Sequence, residues 1–262
     1  MNNTSKHIKL YKTIIIPILG LFLILASGKA QNYSELFNSA NELYKKGQYD
    51  TAINVYKKII EKGYESADIY YNIANAYYKT KNIPKAILYY EKALLLRPND
   101  EEIKYNLQLA QTMIVDKINV LPEFFLKRFW RDFQKLLSSN SWAIFSLSFF
   151  IIALITFIIY LFSKTLFIKK TFFYFFVIFF IFSAISFSNS YNQKVNIEKK
   201  DTAIIMAGSV TVKSSPDDNG TELFVIHEGT KVWLIDELGE WVNIKIAEGN
   251  KGWIKKDDLE LI

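Results

Sequence analysis

Apolar residues follow a different pattern in each part of the chain. Residues 142–162 and 171–188 are two apolar runs without a charged residue, each about as long as a membrane-spanning helix. Upstream of them apolar positions recur at helical spacing, whereas residues after 200 alternate apolar and polar positions in short runs bounded by Gly, Pro and Asp. The pattern predicts helices, then a pair of transmembrane helices, then a small β domain.

The helical region repeats itself with a period of roughly 34 residues. The matching positions are small or aromatic: Ala40 and Ala74, Ala52 and Ala86, Tyr56 and Tyr90. Small residues let paired helices approach closely, and the tyrosines fill the space between them. The region 31–117 resembles the tetratricopeptide-repeat (TPR) family, which implies two repeats over 33–66 and 67–100 and a capping helix over 101–117.

Asparagine and tyrosine side chains recur at this period on what the TPR resemblance makes the concave face. There, amide groups bond the backbone of an extended peptide. The predicted peptide groove consists of Asn38, Asn41, Tyr44, Tyr71, Asn72, Asn75, Tyr78 and Asn106. The alternative is that asparagine at these positions belongs to the common TPR pattern and marks no specific ligand.

Residues 1–30 have the features of a secretory signal peptide. Three lysines precede the apolar stretch 13–26, and the small residues Gly28 and Ala30 suit cleavage before Gln31. An uncleaved membrane anchor is the alternative. Both readings place the chain from Gln31 onward outside the cytoplasm.

The short connection between the two apolar runs fixes the predicted topology. Its residues, 163–170, include three lysines, and by the positive-inside rule such a loop is cytoplasmic. Both soluble regions would then lie on the outer side of the membrane, with 142–162 and 171–188 as transmembrane helices.

Residues 118–141 are predicted to form an amphipathic juxtamembrane helix. Phe125, Phe129 and Phe133 fall at helical spacing, opposite Lys127 and Arg131. Such a helix lies on a membrane surface, and the alternative is an ordinary solvated helix.

The C-terminal region, 200–262, is predicted to be a small barrel of five or six strands. Its residues 210–216, 227–230 and 252–254, with Trp241, resemble the bacterial SH3 family. Trp241 and Trp253 are candidates for a peptide-binding surface, with packing in the barrel core as the alternative.

Composition and charge exclude several functions. The sequence contains no Cys and two His, so thiolate metal sites and Cys nucleophiles are excluded, and we expect no metal or other cofactor. The net charge of +6 divides into +4 for 1–30, +1 for 31–117, +7 for 118–200 and −6 for 201–262. The excess of positive charge lies beside the apolar runs, so we expect no nucleic-acid partner.

The order of the parts, together with residues 116–131, resembles the aerotolerance-operon (Bat) family, BatE type, over the entire chain. The resulting fold is a multidomain membrane protein with an α-α TPR superhelix, a transmembrane helical hairpin and a small all-β SH3-like barrel. The resemblance implies a bacterial inner-membrane protein that works beside von Willebrand A-domain membrane proteins and an AAA-type ATPase, in a stress- or oxygen-tolerance role.

Two binding modules without a catalytic constellation favour a non-enzymatic adaptor whose TPR and SH3 modules face the periplasm. The alternative is a cell-wall tether in which the SH3 barrel binds peptidoglycan peptides. An enzyme is disfavoured because carboxylate pairs such as Asp217 and Asp218 fall in apparent solvated turns.

Overall fold

The computed structural model describes residues 33–116 and 124–262. The chain forms two compact units, Met1–Glu65 and Ser66–Ile262. The predicted signal peptide over 1–30 and its cleavage before Gln31 lie outside the described residues.

The described residues of the first unit, 33–65, form one helical pair. Residues 33–45 form α1 and Tyr49–Glu61 forms α2. Ala40, Ala52 and Tyr56 are at most 1% exposed between them, as the small-and-aromatic pattern predicts. Gly47 has φ +76° in the turn that joins the two helices, a conformation that costs glycine little.

The second unit begins with three helices, α3 (Ala67–Lys79), α4 (Ile83–Leu96) and α5 (Glu101–Gln111). Each begins at a polar cap: the side chains of Ser66, Asn82 and Asp100 accept hydrogen bonds from backbone N–H groups of the first turn. The helices of both predicted repeats are therefore present.

The capping helix predicted over 101–117 is shorter in the structure, because α5 ends at Gln111. The hydroxyl of Thr112 bonds the carbonyl oxygen of Leu109 at 2.7 Å, and Ile114 and Val115 are β-branched residues that disfavour helix. Asp116 accepts hydrogen bonds from residues of the C-terminal domain.

Helix α6 spans Phe125–Lys135, inside the segment predicted as a juxtamembrane helix. Helices α7 (Ser139–Phe162) and α8 (Leu166–Glu198) follow, and both are long and apolar enough to cross a membrane. The loop predicted over 163–170 is shorter, because five of its residues already belong to α8.

Helices α7 and α8 pack along small residues. Ser146 and Ser183 each donate a hydroxyl hydrogen bond to the other's carbonyl oxygen, at 3.1 and 3.0 Å. Ser139 and Ser190 form the same reciprocal pair, with both bonds at 2.9 Å. Small residues permit this close approach, and the hydroxyls stabilise it in an apolar surrounding.

The C-terminal domain is a seven-stranded antiparallel sheet in the order β3-β2-β6-β5-β4-β1-β7. Its strands are β1 (Thr202–Ile205), β2 (Ser209–Lys213), β3 (Glu222–His227), β4 (Lys231–Leu238), β5 (Trp241–Lys245), β6 (Lys251–Lys255) and β7 (Leu259–Leu261). Strands β1 and β7 are additional to those predicted.

Alternating residues on one face of the sheet form its core. Val212, Val242 and Ile244 are completely buried there. Gly252 is required where β6 approaches β2, since a Cβ at this position would lie 2.5 Å from Val212 Cγ1 and 2.7 Å from the carbonyl oxygen of Lys213.

One residue in the turn between α3 and α4 has a backbone conformation that is unfavourable for its side chain. Lys81 has φ +63°, at the position where the first repeat has Gly47. We predict that Lys81→Gly raises the free energy of unfolding by about 0.5–1 kcal/mol, because the left-handed conformation strains a side chain with a Cβ. Thermal unfolding of the full chain, followed by circular dichroism, measures the change.

The matched control is Lys79→Gly, which changes the last residue of α3. It should lower stability by about 1 kcal/mol, because glycine disfavours helix. A lower stability for both variants would contradict the strain at Lys81.

Candidate functional site

The predicted peptide groove has residues in each of the two units. In the first unit Asn38 is exposed, while Asn41 and Tyr44 are half-buried. The ring of Tyr44 contacts Tyr49 edge-on, with the ring centroids 5.2 Å apart. These side chains lie on α1 and remain at least partly accessible.

In the second unit Tyr71, Asn72, Asn75, Tyr78 and Asn106 are all half-buried. Residues on α3 and α5 are directly joined. The hydroxyl of Tyr71 donates to Glu102 Oε1 at 2.6 Å and accepts from Asn106 Nδ2 at 2.6 Å. This network fixes the spacing of α3 and α5 and presents polar groups at a partly open surface.

The environment of Tyr71 changes its acidity. Desolvation and the hydrogen bond to Glu102 raise the pKa of Tyr71 to about 12. Its hydroxyl therefore stays protonated at any physiological pH and acts as a donor toward a carboxylate or carbonyl.

Asn41 and Asn75 have a structural role. The hydroxyl of Tyr56 donates to Asn41 Oδ1 and that of Tyr90 to Asn75 Oδ1, both at 2.5 Å. Both tyrosines are 1% exposed, so these bonds satisfy buried hydroxyl groups. The sequence contains a signal for this pairing, because the Asn-to-Tyr separation of 15 residues recurs one repeat later.

The tryptophans of the sheet differ in accessibility. Trp241 on β5 is 9% exposed and lies under the ammonium group of Lys255, 5.4 Å from its ring centroid. Trp253 on β6 is half-buried. Trp233 on β4, which was not among the predicted site residues, is 38% exposed and more accessible than Trp241.

A further polar cluster, not predicted from the sequence, joins the sheet to the helices of the second unit. The Asp116 carboxylate accepts hydrogen bonds from the backbone N–H of His227 at 2.7 Å, from His227 Nδ1 at 2.8 Å and from the Thr230 hydroxyl at 2.7 Å. We call the cluster of Asp116, His227 and Thr230 the junction.

Electrostatics favour the ionised form of Asp116. Burial by itself raises the pKa of this carboxyl group, but the hydrogen bonds and charge of His227 and the Thr230 hydroxyl outweigh burial and lower the pKa below its usual value. An ionised carboxylate only accepts hydrogen bonds, so His227 carries its proton on Nδ1.

Packing at the junction is close. Gly229, with φ +84°, lies in the turn between β3 and β4, and a Cβ there would be 2.5 Å from Ile114 Cγ2 and 3.3 Å from Ile87 Cδ1. Next to it Lys231 Nζ forms an ion pair with Glu91 Oε2 at 2.7 Å. The β3–β4 turn is therefore fitted against α4 and the residues that follow α5.

No local sequence pattern could identify the junction, because Asp116 and His227 are 111 residues apart. The available signal was indirect: a Gly at the β3–β4 turn and an Asp ending a β-branched stretch. Across residues 33–116 and 124–262, no group of His, Asp or Glu side chains is arranged to hold a metal ion.

Removing the charge at the junction should loosen it. We predict that Asp116→Asn weakens protection of residues 227–231 from hydrogen exchange by about 1–3 kcal/mol at pH 7. The folded-state pKa of Asp116 is lowered, so its contribution is fully present above the unfolded-state pKa of about 4 and is lost progressively as pH falls from there through the lower folded-state pKa. Hydrogen-exchange mass spectrometry at pH 7 and pH 3.5 measures both effects, with labelling times scaled to the intrinsic exchange rate at each pH.

The control variant is Asp257→Asn, because Asp257 is exposed and outside the junction. It should leave the same segment unchanged at both pH values. A difference between wild type and Asp116→Asn that is equally large at pH 7 and pH 3.5 would exclude the ionised carboxylate as the cause.

Comparison with known proteins places the repeats in a recognised family. The tetratricopeptide-repeat family model matches residues 37–101, which comprise α2, α3 and α4 with most of α1 and the first residue of α5. A comparison with curated proteins gives no match. The chain therefore contains tetratricopeptide repeats, a module through which proteins bind other proteins.

Proposed function

We propose that this protein is a non-enzymatic, membrane-anchored adaptor that binds other proteins at a bacterial cytoplasmic membrane. The observation that carries the proposal is the combination of TPR repeats with two long apolar helices whose outer surfaces are uncovered. The repeats supply the binding surface, and the helices supply the anchor.

The exposure of α7 and α8 supports the membrane anchor. In each helix only 11% of the most apolar 18-residue window is buried. Leaving so many large apolar side chains in water is unfavourable by about 25 cal/mol for each Å² of apolar surface. With 24 residues, α7 is about 36 Å long and spans a hydrocarbon core of about 30 Å.

Helix α6 supports the same anchor. Phe125, Phe129 and Trp130 are each more than half exposed on this helix, which leads directly into α7. Aromatic side chains on an amphipathic helix are stable at the level of lipid headgroups. The exposed apolar surface next to the span therefore favours the membrane-surface position over a solvated helix.

The junction supports placing both soluble modules in one compartment. Asp116 precedes the two apolar helices, His227 and Thr230 follow them, and these residues are in direct contact. A chain that crosses a membrane twice returns to its starting side, so the contact and a transmembrane hairpin agree. With the lysines of the α7–α8 connection in the cytoplasm, that compartment is the periplasm.

The partners follow from the family resemblance. A Bat-type role implies von Willebrand A-domain membrane proteins and an AAA-type ATPase system in an aerotolerance or stress complex. The predicted TPR groove is the surface on which we propose that a partner segment binds, with Trp253 and Trp241 as the corresponding candidates on an SH3-like barrel. Asn72 and Asn106 would bond the partner's backbone.

The groove can be tested by changing one amide. We predict that Asn72→Ala reduces recovery of the protein partner about fivefold to tenfold in crosslinking and affinity capture from native membranes, because one amide–backbone hydrogen bond is lost. Asn54→Ala is the matched control, since Asn54 is exposed on α2 outside the predicted groove. Equal recovery with both variants would argue against the groove.

The topology can be tested with single cysteines, because the natural sequence contains none. We predict that Lys62→Cys and Asn250→Cys react with a membrane-impermeant maleimide in spheroplasts, whereas Thr165→Cys reacts only after lysis. The first two residues are exposed on the repeats and the sheet, and the third lies between α7 and α8. Labelling of Asn250→Cys only after lysis would put the sheet in the cytoplasm and contradict the proposal.

A further inference from the structure

A cavity of about 680 Å³ lies in the second unit where the helices and the sheet meet. Its walls come from the end of α4, from α5 and α6, from the last turns of α8 and from the start of β4. The charged residues on these walls are Glu91, Lys104, Arg131, Asp132, Lys135 and Lys231. The cavity therefore joins the helical repeats to the residues that flank both apolar helices.

The charges of this cavity are not balanced. Glu91 is occupied by Lys231 at 2.7 Å, and Asp132 lies 3.5 Å from Arg131 Nε. The side chain of Lys135 forms no ion pair or hydrogen bond within the described ranges 33–116 and 124–262. Lys104, the fourth basic side chain of the walls, pairs with Glu101 at 2.8 Å, so Lys135 leaves the cavity with an excess of one positive charge.

The environment of Lys135 shows the same imbalance. Lys135 is exposed and lines the cavity, and desolvation, followed by the positive charges of Arg131 and Lys231, lowers its pKa. The carboxylates of Glu91 and Asp132 oppose this effect without cancelling it. An anion bound in the cavity would relieve the repulsion.

The cavity lies at the depth of lipid headgroups when α7 and α8 span a membrane. Gln193, on its wall, comes five residues after the apolar run 171–188 and thus about 8 Å beyond it along α8. Headgroup layers are about 5–8 Å thick on each side of the hydrocarbon core. A phosphate in this layer would be within reach of the long basic side chains.

Apolar side chains, among them Leu94, Leu95 and Ile197, line part of the cavity beside several amide side chains. A site for free phosphate has no need of such walls, whereas the glycerol and upper acyl region of a lipid would pack against them. The exposed aromatic residues of neighbouring α6 extend this apolar surface toward the bilayer.

We propose that this cavity binds the phosphate headgroup of an anionic phospholipid, with Lys135, Arg131 and Lys231 as its cationic ligands. The inference rests on the membrane anchor proposed above. Its consequence is that a bound lipid would hold α6, α8, the repeats and the sheet together in one arrangement.

Native mass spectrometry of the full chain in detergent tests the proposal, with phosphatidylglycerol and phosphatidylcholine of identical acyl chains as probes. We predict that wild type retains phosphatidylglycerol preferentially and that Lys135→Gln weakens this retention about tenfold, the loss expected for one charged hydrogen bond. Lys135→Arg, which keeps the charge, should retain the lipid.

Lys170→Gln is the matched control, because it removes the same charge near the connection between α7 and α8. It should change retention less than about twofold, a difference of about 0.4 kcal/mol. Equal retention of the two lipids by wild type would overturn the proposal, and so would an equal loss in Lys135→Gln and Lys170→Gln. Displacement of the lipid by millimolar inorganic phosphate would also overturn it, because the site would then belong to a soluble anion.

Flotation of wild type with phosphatidylcholine vesicles separates this proposal from the membrane anchor. A chain that floats but shows no preference for phosphatidylglycerol retains its anchor and loses the lipid site. A chain that does not float contradicts the anchor itself, and with it the lipid site.

Discussion

The Asp116 carboxylate is the contact on which the arrangement of the second unit depends. It lies at the end of the helical region and accepts three hydrogen bonds from residues of the β3–β4 turn. A charge withdrawn from water is stable only when hydrogen bonds replace its hydration. The carboxylate therefore requires the turn to sit where it does, and the Gly229 backbone permits the close packing that this position demands.

This contact closes a long loop of chain. Helices α6, α7 and α8 and the strands β1 to β3 lie between Asp116 and His227. A loop of this length costs conformational entropy that local contacts must offset. The pairing of α7 with α8 through reciprocal serine hydrogen bonds brings the ends of the two helices together. The α7–α8 hairpin and the junction therefore stabilise each other. Each one restricts the chain between Asp116 and His227, which lowers the entropy cost of forming the other.

Sequence reasoning succeeded where the determining interactions are local. Helical periodicity and the small residues Ala52 and Ala86 predicted the repeat helices, which the TPR match confirms. The strands β1 and β7 were not predicted, because they depend on distant partners: Ala203 pairs with Val232 and with Leu261. Asp116 was missed for the same reason, as its ligands lie 111 and 114 residues further along the chain.

The candidate groove stays a prediction, and its hydrogen bonds could not be predicted, since a repeat pattern identifies a face of the helix and not the hydrogen bonds on it. Tyr71, Asn75 and Asn106 already have partners in the structure. A peptide that binds there must exchange these hydrogen bonds for its own, which contributes selectivity more than affinity. With the proposed membrane anchor, affinity comes from confinement: a partner held in the same membrane would be present at high effective concentration, so weak contacts with the groove would suffice. In the proposed function the anchor and the groove are therefore parts of one binding mechanism.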